Sequence, residues 1–321
     1  MTEGSTRHVD NGEGWRLALR RTPAEGPAKR AALIVPGYGM NSFIFGFHPR
    51  GLSLEAYLAS RGIDVFSVDL RAQGKSERAG GSRSYGIADL AIGDLGAAIR
   101  AALDWSGAPS IDLIGCSLGA ALSFAHVACV PEAKVRAIVS MGGLVTWVET
   151  HPLMRAAFFS PRLVGMLPMV GTRAFASRAL PILARFTPRL LSIYLHGEST
   201  DLSRASTMVQ TVEDPTPRMN REIAEWMARG DLVVRGVNVS RALGALTRPV
   251  LVVVANQDGI VPPATGRALF DAVGSAEKQL VCVGEPGAPI AHADLFVANG
   301  VQELVFSPVA DFLLTPRAGG A

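Results

Sequence analysis

Ser117, Asp258 and His292 are the residues of this sequence whose types, order and settings could do covalent chemistry, each standing just beyond an apolar run. A serine hydroxyl is a poor nucleophile until a neighbouring base takes its proton, and imidazole suits that task near neutral pH. A carboxylate behind the imidazole fixes its tautomer and stabilises the imidazolium. Such a set attacks acyl carbons.

Ser117 lies in Gly115-Cys116-Ser117-Leu118-Gly119, between the apolar run from Ile111 to Ile114 and the alanine-rich stretch from Ala120 to Ala125. That layout reads as strand, sharp turn and helix with the serine at the apex, a nucleophile elbow. The turn strains the serine backbone and draws strand and helix together. Side chains at 115 and 119 would collide, and glycine fits both places.

Asp258 follows the apolar run from Pro249 to Ala255, in Asn256-Gln257-Asp258-Gly259-Ile260-Val261-Pro262, and His292 lies in Ala291-His292-Ala293-Asp294-Leu295-Phe296. Each has an ordinary alternative: Asp258-Gly259 as a plain turn, and His292 as a helix-entry residue bonded to backbone. The other histidines fit the base role less well. His8 is near a terminus, His48 is in a loop, His126 is inside the helix after the elbow, and His151 and His196 fall in an irregular stretch. Only His292 comes after the last strand signal.

The elements that must position these residues alternate. Trp15–Thr22 alternates as a half-wet strand at a sheet edge, and Ala31–Val35 is a buried strand ending in the glycine-rich loop Pro36-Gly37-Tyr38-Gly39-Met40-Asn41. A buried strand feeding such a loop can leave backbone N–H groups pointing into a cleft. Helix over 52–61, strand over 64–70, amphipathic helix over 87–105, the elbow strand with its helix, and strand over 135–141 follow. The sheet pattern resumes at 249–256, with a helix from Pro263 and a last strand at 279–283. Strands alternating with helices give an α/β fold with a mostly parallel sheet covered on both faces. In such sheets functional groups gather at the carboxyl ends of the strands, where Tyr38, Ser117, Asp258 and His292 all fall.

From 144 to 235 the strand signals stop, and short helical pieces are broken by Pro152, Pro161, Pro168, Pro181, Pro188 and Pro215. The expected organisation is a core of 1–143 and 236–321 with a helical cap or lid inserted at 144–235. The first half of the insertion mixes large apolar residues with Arg155, Arg162, Arg173, Arg178, Arg185 and Arg189. That suits a lid over a greasy cleft, or a surface making peripheral contact with anionic membrane lipid. Plain cap-helix core with solvated arginines is the alternative.

At 321 residues and 48% hydrophobic, the chain can bury one large core. The net charge is +3, and 27 of the 31 basic residues are scattered arginines, which argues against nucleic-acid binding. Cys116, Cys129 and Cys282 are odd in number without C-x-x-C spacing, and read as reduced packing residues. The amino terminus lacks a signal-peptide layout and no apolar run reaches membrane-spanning length, so a cytoplasmic location is expected.

The sequence resembles α/β-hydrolase fold serine hydrolases of the esterase and lipase kind. The resemblance is carried by Pro36 to Gly39, by Asp69-Leu70-Arg71-Ala72-Gln73-Gly74-Lys75-Ser76, by the elbow, and by the Asp258 and His292 segments. It implies Ser117 as nucleophile, Asp258 as acid, His292 as base and the N–H groups of Tyr38 and Leu118 as oxyanion hole. It also implies a structural role for Asp69 to Ser76, with Asp69 and Arg71 paired. Relatives often carry histidine before the oxyanion glycine, where this chain has Pro36. The insertion and the Asp258 and His292 segments are also similar to polyhydroxyalkanoate synthases, which use cysteine at the Ser117 position. Cys116 is one residue too early and its side chain leaves the elbow in another direction. Epoxide hydrolases and haloalkane dehalogenases of this fold use aspartate there.

The implied reaction is two-step acyl transfer to water on a lipophilic carboxylic ester, needing no metal and no organic cofactor. An acyltransferase or thioesterase with the same triad, or a non-catalytic binding protein that keeps the fold, are the competing readings.

Overall fold

The computed structural model describes residues 4–166 and 169–316. Its strands are β1 (Ser5–Asp10), β2 (Trp15–Thr22), β3 (Arg30–Val35), β4 (Ile63–Asp69), β5 (Glu77–Arg78), β6 (Ile111–Cys116), β7 (Val135–Met141), β8 (Val233–Val234), β9 (Val237–Asn238), β10 (Val250–Ala255) and β11 (Lys278–Val283). The main sheet runs β1-β2-β4-β3-β6-β7-β10-β11, with β5 beside β2. From β4 to β11 every pairing is parallel, whereas β2 pairs antiparallel with β1, β4 and β5.

The inner parallel strands β3, β4, β6, β7 and β10 are mainly buried, and β10 is apolar throughout, because helices cover both of their faces. In β10 successive residues go to opposite sides: Val250, Val252 and Val254 join one core, Leu251, Val253 and Ala255 the other. Leu95 and Ile99 from helix Leu95–Ser106, Leu122 from Leu118–Cys129 and Leu269 from Pro263–Ala272 fill the first core. Leu54 and Leu58 from helix Leu54–Ser60, with Val309 and Phe312 from Ser307–Leu314, fill the second. Parallel order places the ends of β3, β6, β10 and β11 at one edge of the sheet, where the candidate residues follow.

Two expectations are corrected at this level. Trp15–Thr22 is not the edge, because β1 pairs along it outside. Five of the six β1 residues are exposed, so no apolar alternation marks the strand. Asp69 and Arg71 do not pair with each other. Asp69 accepts backbone N–H groups from Ser42 and Lys75, both at 2.8 Å. Arg71 instead forks onto Asp94, with Nη2 to Oδ1 at 2.7 Å and Nε to both oxygens at 3.0 Å, and reaches Glu13 at 2.7 Å. Asp94 also accepts from Arg71 N and Asn11 Nδ2. Asp94 closes the π-wound first turns, Asp89–Asp94, of the expected long helix, so this knot ties β2, β4 and that helix together.

Between β7 and β10 no segment among the described residues joins the main sheet. Helices Pro152–Ala157, Pro161–Val164 and Thr172–Phe186 bury no residue, whereas Pro217–Arg229 buries Met219, Asn220, Ile223, Ala224 and Trp226. Trp226 donates its indole N–H to Val145 O at 3.0 Å, fastening that helix to the core. No described helix is long and apolar enough to cross a membrane.

Asp94 is fully buried and Arg71 nearly so, so Asp94→Ala removes the buried partner of the guanidinium and leaves it only the half-exposed Glu13 carboxylate. The expected loss of unfolding free energy is about 3–5 kcal/mol. A urea midpoint like that of wild type would show that the knot carries no such weight.

Candidate active site

Ser117 sits between β6 and helix Leu118–Cys129 at φ 53°, a left-handed value that costs a non-glycine residue about 1–3 kcal/mol unless its surroundings fix it. Here they do. Ser117 N donates to Met141 O, and Ser117 O accepts from Ala120 N, both at 3.0 Å. The collisions expected at both flanking glycines are present: a Cβ at Gly115 would lie 2.4 Å from Ala120 N, and one at Gly119 would lie 2.2 Å from Val35 O.

Asp258 follows β10 and turns back on its own backbone, Oδ1 accepting from Ile260 N at 2.9 Å and Val261 N at 2.8 Å. Its other oxygen, Oδ2, is 2.6 Å from His292 Nδ1. Both side chains are nearly sealed from solvent, Asp258 at 1% and His292 at 8%. An ionised carboxylate only accepts, which assigns the proton to Nδ1 and leaves Nε2 as the acceptor nitrogen. Gly142 and Gly143, which follow β7, lie between this pair and the elbow. A Cβ at 142 would meet the His292 ring at 3.2 Å, and one at 143 would meet Ser117 O at 3.3 Å. The structure therefore joins Asp258 to His292 by a hydrogen bond and sets Ser117 across a glycine pair from them. Among the described residues Ser117 and His292 share no direct hydrogen bond, a contact that often tightens only when substrate is present.

Tyr38 follows β3. A Cβ at Gly37 would stand 3.0 Å from Ser117 Cβ, so this loop passes directly beside the serine. Among the described residues neither Tyr38 N nor Leu118 N donates to another group, the latter because it is the first residue of its helix. The Tyr38 side chain turns away, donating its hydroxyl to Asn220 Oδ1 and setting its ring edge-on to Phe158 at 6.0 Å. Burial, with Tyr85 nearby, pushes the Tyr38 phenol well above its ordinary range.

Cys116 is buried, with Sγ 3.8 Å from Met40 Sδ, and desolvation pushes its thiol far up, with Asp258 adding to the effect. Cys282 corrects the sequence expectation: it is exposed rather than packed, because it lies on β11 at the outer edge of the sheet.

With this geometry in place, comparison with known proteins becomes specific. Residues 27–285 match the family described as serine aminopeptidase, S33. The chain belongs to this family. It is a hydrolase of the α/β-hydrolase fold. Solved structures show how far the likeness extends. Esterase RhEst1 from Rhodococcus sp. ECU1013 is 19% identical with a TM-score of 0.63, covering 96% of this chain and 98% of its own. A soluble variant of monoglyceride lipase from Saccharomyces cerevisiae, in complex with a substrate analogue, is 16% identical with a TM-score of 0.65 over 99% and 97%. The monoacylglycerol lipase of Paleococcus ferrophilus is 18% identical with a TM-score of 0.59 over 92% and 98%. At these identities the likeness is one of fold. No curated protein matches the chain.

Sequence reasoning passed over the parts of the insertion that reach the site. Asn220 holds Tyr38 from helix Pro217–Arg229, and the Tyr194 ring centroid lies 6.1 Å from that of His292. A polar residue on the apolar face of an amphipathic helix was the one available sign of Asn220.

Burial and a raised thiol make Cys116 inert in the native protein. Iodoacetamide followed by peptide mass mapping is expected to modify Cys282 and leave Cys116 unmodified until the chain is denatured. Early alkylation of Cys116 would contradict this.

Proposed function

We propose that this S33 family hydrolase cleaves lipophilic carboxylic esters through an acyl-enzyme on Ser117. The observation that carries the reading is the buried His292–Asp258 hydrogen bond of 2.6 Å at the strand ends beside a serine held at positive φ. His292 Nε2 takes the Ser117 proton as Oγ attacks the ester carbonyl, while Asp258 holds the imidazole and stabilises its charged form. The N–H groups of Leu118 and Tyr38 receive the developing oxyanion, and His292 then protonates the departing alcohol. Water activated by the same histidine releases the acid and restores the serine.

In this reading residues 144–235 form a cap over the strand ends. Its exposed apolar side chains support a lipophilic substrate delivered from a lipid surface. Phe159 is 66%, Met166 75%, Val170 83% and Phe175 73% exposed. Residues 150–197 contain six arginines and no aspartate or glutamate, and of the six only Arg173 is paired with a carboxylate, that of Glu213, among the described residues, so this stretch carries net positive charge. Apolar side chains ringed by positive charge suit peripheral contact with an anionic bilayer. The three thiols are unpaired, which supports a reducing, cytoplasmic setting.

Hydrolysis of nitrophenyl esters from acetyl to palmitoyl tests the chemistry. Ser117→Ala and His292→Ala are each expected to lower kcat by about 10⁴- to 10⁶-fold with the fold retained. Wild-type-like turnover by either folded variant defeats the assignment, and the preferred chain length reports the acyl pocket. The surface is tested by flotation with phosphatidylcholine vesicles with and without phosphatidylglycerol. Binding is expected only with the anionic lipid, weakened by salt and by Phe159→Ser with Phe175→Ser; equal flotation with neutral vesicles would remove the electrostatic part.

A further inference from the structure

Asp294 is completely buried two residues beyond His292 and takes no part in the chemistry above. Its Oδ2 accepts from Ala291 N at 2.8 Å and from His196 N at 2.9 Å, and its Oδ1 accepts from Thr200 Oγ1 at 2.6 Å. Burial pushes this carboxyl above the usual carboxylate range, and the three donors pull against that shift. Two of those donors, His196 and Thr200, come from the segment by which the chain returns from the exposed helices of the insertion.

That segment meets both triad loops. Ile193 O accepts from Gly259 N at 3.0 Å, and Tyr194 O accepts from Ala293 N at 2.8 Å, so one carbonyl holds the residue after Asp258 and the next holds the residue after His292. Ser199 hydrogen-bonds through its hydroxyl to Pro289 O, Asn299 N donates to Ser199 O at 2.8 Å, and Thr200 bridges Ala298. The fit is close: a Cβ at Gly259 would lie 2.7 Å from Ile193 Cβ, which gives the Asp-Gly pair a reason beyond turn formation.

We propose that residues 193–200 are a strap that holds the Asp258 and His292 loops in register, and that Asp294 is the positioning residue that fastens it. The proposal rests on the reading of His292 as the base for Ser117. The loops leaving β10 and β11 touch directly, Gln257 N donating to Ile290 O at 2.9 Å and Ile290 N to Asn256 Oδ1 at 2.8 Å, and beyond those contacts they must agree to a fraction of an ångström for a bond of 2.6 Å to form. Bonding both to one further segment, at Gly259 and Ala293, restrains the residues next to Asp258 and His292 themselves. Loss of that restraint acts on the chemical step, because a misplacement of about 1 Å costs on the order of 10²-fold in rate.

An asparagine at 294 can keep the arrangement. Its carbonyl oxygen can occupy the Oδ2 place, facing the Ala291 and His196 N–H groups, and its NH₂ can donate to the Thr200 hydroxyl, which then accepts. Alanine keeps none of these bonds. The test compares wild type, Asp294→Asn and Asp294→Ala in ester turnover and in the downfield proton NMR signal of the His292 Nδ1–H, assigned by its loss in His292→Ala. The expected result is a fall in kcat of about 10- to 100-fold in Asp294→Ala with little change in KM, and near-wild-type turnover in Asp294→Asn. The downfield signal is expected in wild type and Asp294→Asn, and broadened by solvent exchange in Asp294→Ala. Folded Asp294→Ala with wild-type kcat and signal overturns the proposal, as does equal damage in the asparagine variant. Should Asp294→Ala fail to fold, Thr200→Val removes one of the three bonds; unchanged kcat and signal in that folded variant also overturn it. A wild type without Ser117-dependent turnover that still shows the expected signal pattern sinks the hydrolase reading and leaves the strap standing.

Discussion

Three backbones come together around Ser117 more closely than side chains allow, and the candidate site depends on that approach. Strand β6, the first turn of helix Leu118–Cys129 and the loop after β3 meet where added Cβ atoms at Gly115, Gly119 and Gly37 would fall at 2.4, 2.2 and 3.0 Å from their neighbours. The strained φ at Ser117 is held by this packing and by the two backbone hydrogen bonds of the residue, its side chain bonding to no other group among the described residues. A doubly covered sheet is what makes such a fixed approach affordable, since every residue of β6 and β10 is buried and neither strand can yield.

The insertion divides physically into two kinds of chain. Helices Pro152–Ala157, Pro161–Val164 and Thr172–Phe186 hold no buried side chain. Residues 193–229 are bonded into the core at point after point. Asn220 and Glu213 hold the loop after β3, Glu213 N reaching Gly39 O at 2.8 Å and its carboxylate accepting from Asn41 Nδ2 at 2.6 Å. The loops after β10 and β11 are held by the neighbouring stretch around Tyr194 and Thr200. Moving the second kind would break the bonds that shape the loops themselves.

What could be read from the sequence was what depends on local pattern. The buried parallel strands announce themselves as apolar runs, and the elbow by its glycines, because both are set by residues adjacent in the chain. Loop placement of Asp258 and His292 followed from the same runs. What escaped has a different origin. Strand β1 is polar and exposed, and is held by pairing with β2 rather than by burial. The partner of Arg71 was misjudged because Asp69 is near in sequence, whereas Asp94 arrives through the fold and brings Asn11 with it. Cys282 looks apolar in its run, yet only an inner strand would have covered it. Asp294 stood within a motif that was read for its histidine alone.

The unburied front of the insertion has a bearing on how this scaffold can diversify. Helices that bury nothing contribute little to the stability of the rest, so their length and composition can drift, or be exchanged between relatives, with small consequence for folding. The segment from Ile193 onward has no such freedom, being cross-linked to three separate loops. Substitution can therefore accumulate in helices Pro152–Ala157, Pro161–Val164 and Thr172–Phe186 while Ser117, Asp258 and His292 keep their places, which makes those helices a natural splice point for chimaeras.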